Sequence, residues 1–245
     1  MNARLTPSDL HVYADAGALA DAVTRNVLDV GRERIASSGR FAIALAGGET
    51  PRAAYALIGE RHGASLDWSQ VHVYFTDERF VPPDDVRSNY AMANRAWLSR
   101  VGIPAAQVHP MPTRNGSPAE CAARYERRLR DTIPVQRSTF DLAIMGIGSD
   151  GHTASLFPGD DDALSERERW VLAVRAPQGT EPRDRITLTL PVINASRRVM
   201  FVASGTGKRE RVAQARSGDA SIPAARVHGM ESTEWLVDAA ASGGS

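Results

Sequence analysis

The chain has 245 residues, 42% of them hydrophobic, enough for one large α/β domain with a substantial core. Its 29 Lys and Arg balance 29 Asp and Glu, which gives no support to a nucleic-acid or membrane-surface role and leaves room only for a local basic patch that takes a small anion. A single cysteine, Cys121, excludes an intramolecular disulfide and a cysteine-rich metal site.

Cys121 sits among alanines and reads as a packed helix residue rather than a nucleophile. Residues 1–10 carry no apolar run of signal-peptide length, and no stretch approaches a membrane span. The expectation is a soluble, cytoplasmic protein that acts on a small molecule, as a monomer or small homo-oligomer, with neither nucleic acid nor membrane as partner.

The first predicted element is a helix over residues 16–37. Residues 41–46 form a short apolar strand that ends in Gly47-Gly48. Thr50-Pro51 then predicts a helix to about Ile58, with Thr50 as N-cap and Pro51 at the first helical position. Residues 71–75 are a second strand. Ser88 is the candidate cap of a helix reaching Arg100, and another helix covers residues 118–132. Residues 140–145 are nearly all apolar, as a strand covered on both faces should be. Residues 186–190 alternate, so that strand is expected to be half-exposed or at an edge. Residues 199–203 form a buried strand, and a helix over residues 208–216 follows Gly205-Thr206-Gly207. Residues 239–245 read as a frayed end, which leaves 1–240 as the domain and 241–245 as a flexible tail.

No internal repeat interrupts this order. The alternation predicts an α/β fold: a mostly parallel, Rossmann-like sheet flanked by helices on both faces, in a single domain. Such sheets bind ligands beyond the carboxyl ends of their strands. Three glycine-bearing loops follow strands, at 47, 146 and 205, and are expected to converge on one crevice.

In the first loop, Gly47 and Gly48 let the backbone approach a ligand, and the following helix start suits a phosphate. The plainer alternative is a tight turn. The run Thr76-Asp77-Glu78-Arg79-Phe80-Val81-Pro82 places charges directly after a strand. Arg79 can clamp an anion and Asp77 can orient a hydroxyl or a water; the alternative is a solvated turn. Gly146-x-Gly148-x-x-Gly151 formally matches a dinucleotide fingerprint, but Pro158 stops any helix and the required acidic residue after a following strand is missing. Gly205-Thr206-Gly207-Lys208 fails as a P-loop because Val202 stands where the first glycine belongs and Arg209 replaces the Ser or Thr. A phosphate contact by Lys208 at the helix start is still expected; the alternative is a solvent-facing lysine.

His152 is the sharpest candidate. A lone histidine is often only a packed residue, but this one follows Asp150 by two positions, on a glycine turn behind a buried strand. A short helix beginning near Gly151 would disfavour imidazolium and keep His152 a neutral base.

Together these pieces resemble the 6-phosphogluconolactonases of the oxidative pentose phosphate pathway. The resemblance rests on Gly47-Gly48-Glu49-Thr50-Pro51, residues 76–82 with Ser88-Asn89-Tyr90, residues 146–158, residues 185–189 and Ser204-Gly205-Thr206-Gly207-Lys208. One departure is Glu49, where Ser is more usual. The related glucosamine-6-phosphate deaminases share the Asp-Gly-His core but continue with Asn-Glu-Pro; their catalytic Glu falls on Phe157, which cannot move a proton.

The resemblance implies hydrolysis of 6-phospho-D-glucono-1,5-lactone. His152 would be the general base, Asp150 would orient it or the water, and Arg79 would stabilise an oxyanion or a ring hydroxyl. Gly48, Thr50, Arg185 and Lys208, with Gly47 in the same loop, would hold the phosphate. No metal or organic cofactor is implied, since a lactone is already an activated ester. The alternatives are a deaminase-like enzyme and a non-catalytic sugar-phosphate-binding regulator.

Overall fold

The computed structural model describes residues 8–133 and 138–243. Residues 1–7, part of the stretch read as lacking a signal run, and residues 244–245 of the expected tail lie outside these. The chain order is β1 (Ser8–Tyr13), α1 (Ala16–Ser38), β2 (Phe41–Leu45), α2 (Glu49–Arg61), β3 (Val71–Phe75), β4 (Asp77–Arg79), α3 (Asn89–Ala96), α4 (Pro118–Thr132), β5 (Leu142–Met145), α5 (Asp161–Ser165), β6 (Val171–Arg175), β7 (Asp184–Leu188), α6 (Leu190–Asn194), β8 (Arg198–Ala203), α7 (Arg209–Arg216), β9 (Ser232–Asp238) and α8 (Ala239–Ser242).

The main sheet has the order β1-β9-β8-β5-β2-β3, and every neighbouring pair is parallel. Its central strands are buried along their whole length, with Phe41, Ile43, Ala44, Leu45, Ala143, Ile144 and Met145 all closed to solvent. That is the price of carrying helices on both faces, and it is why these segments read as continuous apolar runs. From β2 the chain runs outward to β3. It then returns to β5 on the other side of β2 and continues through β8 and β9. The strand order therefore reverses between β2 and β5, and the loops leaving those two strands open a crevice at their carboxyl ends.

A second sheet, β4-β7-β6, is antiparallel. Residues 186–190 were expected at an edge or half-exposed, yet β7 is the central strand here and Ile186, Thr187 and Leu188 are all buried. The Thr residues that made the pattern look half-polar are spent on internal hydrogen bonds: Thr187 Oγ1 accepts from Ser155 N, and Thr189 Oγ1 donates to Arg169 O.

Several boundaries moved for local reasons. α2 starts two residues earlier than expected, with Gly48 as its N-cap and Thr50 inside the first turn. Ser88 does cap α3, its side chain accepting from Ala91 N, but the helix ends at Ala96 and a 3₁₀ turn, Leu98–Arg100, completes the segment. α4 matches its expected span and carries a reciprocal Ser117/Glu120 capping box, a device worth about 1 kcal/mol. The supposed frayed end is helical through Ser242: Asp238 caps α8 by accepting from Ala241 N, and Ala241 is fully buried. Among the described residues, no helix is long and apolar enough to cross a membrane.

At the β3 edge, His72 stacks on His109 with ring centroids 5.6 Å apart, and His109 stacks on Tyr74 at 4.5 Å. Burial, followed by the charge of Arg40, pulls the His72 imidazole down to about 4; burial, followed by Arg128, does the same to His109. An unfolded histidine titrates near 6.5. Between about pH 4 and 6.5 the unfolded chain therefore binds protons that the folded chain does not, and stability rises with pH across that window. Tm should fall as pH drops from 6.5 towards 4, and the H72Q/H109Q double variant should flatten the slope. An unchanged slope would assign the acid sensitivity to other groups.

Candidate active site

The crevice at the switch point is a cleft of about 320 Å³. Gly47 and Gly48 enter it from the loop after β2, and Gly146, Ile147, Gly148, Ser149 and His152 from the loop after β5. Asp77 and Arg79 come from β4, Arg185 from β7, and Lys208 from the turn before α7. The three glycine loops thus converge as the sequence suggested. Thr50 and Asp150 are not among the lining residues; Asp150 is joined to the lining His152 by a hydrogen bond.

The loop after β5 is a compact turn and contains no helix, so the expected helix dipole near Gly151 does not act on His152. A hydrogen bond does the orienting instead. His152 Nδ1 lies 2.6 Å from Asp150 Oδ1, which also accepts from His152 N at 3.1 Å. Burial opposes ionisation of Asp150, but the hydrogen bonds from His152 outweigh it and hold the carboxyl down at about 2. An ionised carboxylate only accepts, so Nδ1 carries the hydrogen, and the tautomer this selects has its lone pair on Nε2.

The glycines of this loop have separate jobs. A Cβ on Gly148 would sit 2.1 Å from His152 Nδ1 and 2.6 Å from Asp150 Oδ1, so the acid–base pair lies directly on its face. Gly151 has φ +90°, which side chains rarely adopt, and a Cβ there would collide with Ile222. Thr153 Oγ1 closes the turn by donating to Gly146 O at 2.8 Å.

Three cations, Arg79, Arg185 and Lys208, line the cleft. Arg79 and Arg185 stand directly across from one another on β4 and β7, where like charges normally repel. Arg79 is tethered to Arg87 O and Arg185 to Pro182 O, so both guanidiniums are held in place rather than splayed into solvent. Burial lowers the pKa of Arg185, with Asp77 opposing; burial also lowers that of Lys208, with Asp150 opposing. The Lys208 side chain makes no hydrogen bond to a described residue. This frustrated arrangement suits an anionic ligand.

A sequence reading that stopped at chemical residue types missed the supports. Asp77 is buried; its Oδ2 accepts from Ser155 Oγ at 2.7 Å and its Oδ1 from Asn89 Nδ2 at 3.3 Å. Ser155, Asn89 and Thr180 also line the cleft. Glu78 accepts from Arg79 N, Ser88 Oγ, Asn89 N and Tyr90 N, so this buried carboxylate ties β4 to the first turn of α3. Among the described residues no group of three or more His, Cys, Asp or Glu is placed to hold a metal.

Residues 14–235 match the family model described as glucosamine-6-phosphate isomerases/6-phosphogluconolactonase. A 6-phosphogluconolactonase of Nostoc sp. is 41% identical, with 84% of this chain and 85% of that protein covered. One of Mycobacterium leprae is 38% identical over 94% of this chain and 96% of the relative. The crystal structure of 6-phosphogluconolactonase from Thermotoga maritima superposes with a TM-score of 0.83 at 30% identity, covering 94% of this chain and 99% of the other.

The chain belongs to the glucosamine-6-phosphate isomerase/6-phosphogluconolactonase family. The resemblance puts the deaminases' glutamate at Phe157. Phe157 is buried, lines the cleft and packs against the His152 ring at 4.9 Å between centroids. It steadies the imidazole and offers no proton.

The Lys208 turn is held from below by a residue that the sequence did not flag. Asp238, at the end of β9, accepts from Ser204 Oγ and from Gly205 N at 3.0 Å. D238A should loosen this turn and raise KM by about tenfold, with a smaller effect on kcat. Steady-state kinetics that show an unchanged KM would detach Asp238 from ligand binding.

Proposed function

We propose that the protein hydrolyses 6-phospho-D-glucono-1,5-lactone to 6-phospho-D-gluconate. The observation that carries this reading is the Asp150–His152 pair, whose imidazole lines a cleft that also holds Arg79, Arg185 and Lys208. His152 Nε2 takes a proton from water as the water oxygen attacks the lactone carbonyl carbon. Arg79 stabilises the oxyanion of the tetrahedral intermediate. The carbonyl re-forms, the bond to the ring oxygen breaks, and His152 returns the proton to that oxygen.

Asp150 is committed to the imidazole, so the task of orienting the water or a neighbouring ring hydroxyl falls to Asp77. Gly48, Arg185 and Lys208 hold the phosphate, and that attachment fixes the ring against the base. The apolar Phe157 argues against a deaminase reaction.

The test generates the lactone with glucose-6-phosphate dehydrogenase and follows its decay. The protein should accelerate decay well beyond spontaneous opening. Decay at the spontaneous rate, with 6-phosphogluconate still bound, would instead identify a sugar-phosphate-binding regulator.

A further inference from the structure

Asn89 sits at the junction of three parts of the site. Its backbone N donates to Glu78 Oε1 at 2.7 Å, and its Nδ2 donates to Asp77 O at 3.0 Å and to Asp77 Oδ1 at 3.3 Å. A backbone carbonyl and a carboxylate both only accept, which fixes the amide's orientation: nitrogen towards Asp77, oxygen away from it. That oxygen has no hydrogen-bond partner among the described residues, and the residue is only 2% exposed.

Where the oxygen points is the informative fact. A Cβ on Gly47 would lie 2.0 Å from Asn89 Oδ1, 2.5 Å from its Cγ and 2.8 Å from Nδ2. Gly47 is not among the glycines with a left-handed φ, in contrast to Gly48 at φ +105°. Backbone conformation therefore does not demand glycine at 47; the asparagine amide resting on it does. Asn89 has nowhere to retreat, since its backbone is held by Glu78 and its nitrogen by Asp77.

We propose that Asn89 is a positioning residue that pins the Asp77 carboxylate to the glycine loop, and that Gly47 is glycine because any side chain there would evict the Asn89 amide. The proposal rests on the lactonase reading, in which Asp77 orients the water or a ring hydroxyl. Ser155 fixes one carboxylate oxygen and Asn89 the other, so loss of Asn89 frees the carboxylate to rotate. The phosphate contacts of Lys208 and Arg185 do not pass through this amide.

The test measures kcat and KM on the enzymatically generated lactone for G47A, N89A and D77N, with the G47A/N89A and N89A/D77N doubles. G47A and N89A should each lower kcat by about 10- to 100-fold, the scale for a displaced catalytic group, with KM within about threefold. G47A should cost nothing further in N89A, because the atom it collides with is gone, and N89A should cost nothing further in D77N. Full, multiplicative losses in either double, or a loss carried by KM, would overturn the proposal. If N89A does not fold, a crystal structure of G47A decides: an amide turned away from Asp77 supports the proposal, and an amide in place with kcat lost sinks it. If the wild-type protein leaves the lactone untouched, the reaction assignment fails. The G47A/N89A cycle is then read in Tm, where coupling supports the clamp and additivity removes it.

Discussion

Replacement of His152 by alanine is expected to lower kcat by roughly 10²- to 10⁴-fold, the range for removing a positioned general base, while KM changes little. The reasoning starts from geometry. Asp150 fixes the hydrogen on Nδ1, so Nε2 is the basic atom, and Phe157 and Gly148 leave the ring one seat in the cleft. Neither His152 nor Phe157 is hydrogen-bonded to Arg185 or Lys208, the proposed phosphate contacts, so binding should survive the loss of the ring. D150N keeps the shape of the acid but removes the charge and makes the side chain a possible donor to Nδ1. It should favour the wrong tautomer and cost at least about tenfold in kcat. Near-normal turnover by H152A would remove the imidazole from the reaction and pass the base role to Asp77.

The fold was legible where burial was uniform. β2 and β5 are apolar throughout, and β3 and β8 are so apart from His72 and Arg198, because both sheet faces are covered, and such runs announce themselves. β4 was not legible: it is three charged residues, Asp77–Arg79, whose strand character comes entirely from pairing with β7. β1 and β9, Ser8–Tyr13 and Ser232–Asp238, are mixed in character and lie at one side of the sheet, where neighbours decide more than propensity does.

The site divides along the same line. Residues that carry charge or a titrating ring, such as His152, Asp150, Arg79 and Lys208, stood out by type and spacing. Residues that hold them did not, because Asn89, Ser155 and Asp238 act through hydrogen bonds to groups far away in sequence. Ser155 lies 78 positions from Asp77 and Asp238 lies 33 from Gly205. Glu78 shows the difficulty most plainly. In the run Asp77-Glu78-Arg79 it looks like a solvated turn residue, yet it is 2% exposed and accepts four hydrogen bonds. Only the close approach of α3 to β4 reveals that.

Replacement of Lys208 by alanine is expected to act on the other half of the cycle, raising KM by roughly 10- to 100-fold with a smaller change in kcat. A hydrogen bond to a charged group contributes about 1.5–3 kcal/mol, which corresponds to that range. The ammonium sits on a 3₁₀ turn, Thr206–Lys208, anchored through Gly205 to Asp238, and burial already makes it easier to deprotonate than a free lysine. A dianionic phosphate in the cleft would offset that desolvation, so phosphate binding and the charged state of Lys208 reinforce one another. The contrast with an unphosphorylated gluconolactone separates the possible roles. The wild-type protein should prefer the phosphorylated lactone strongly, and K208A should lose most of that preference while handling the plain lactone as the wild type does. K208R restores charge but not the compact ammonium, and should recover only part of the affinity. If K208A instead lowers kcat alone, and equally on both lactones, the lysine belongs at the reacting carbonyl and Arg79 is left to the ring hydroxyls.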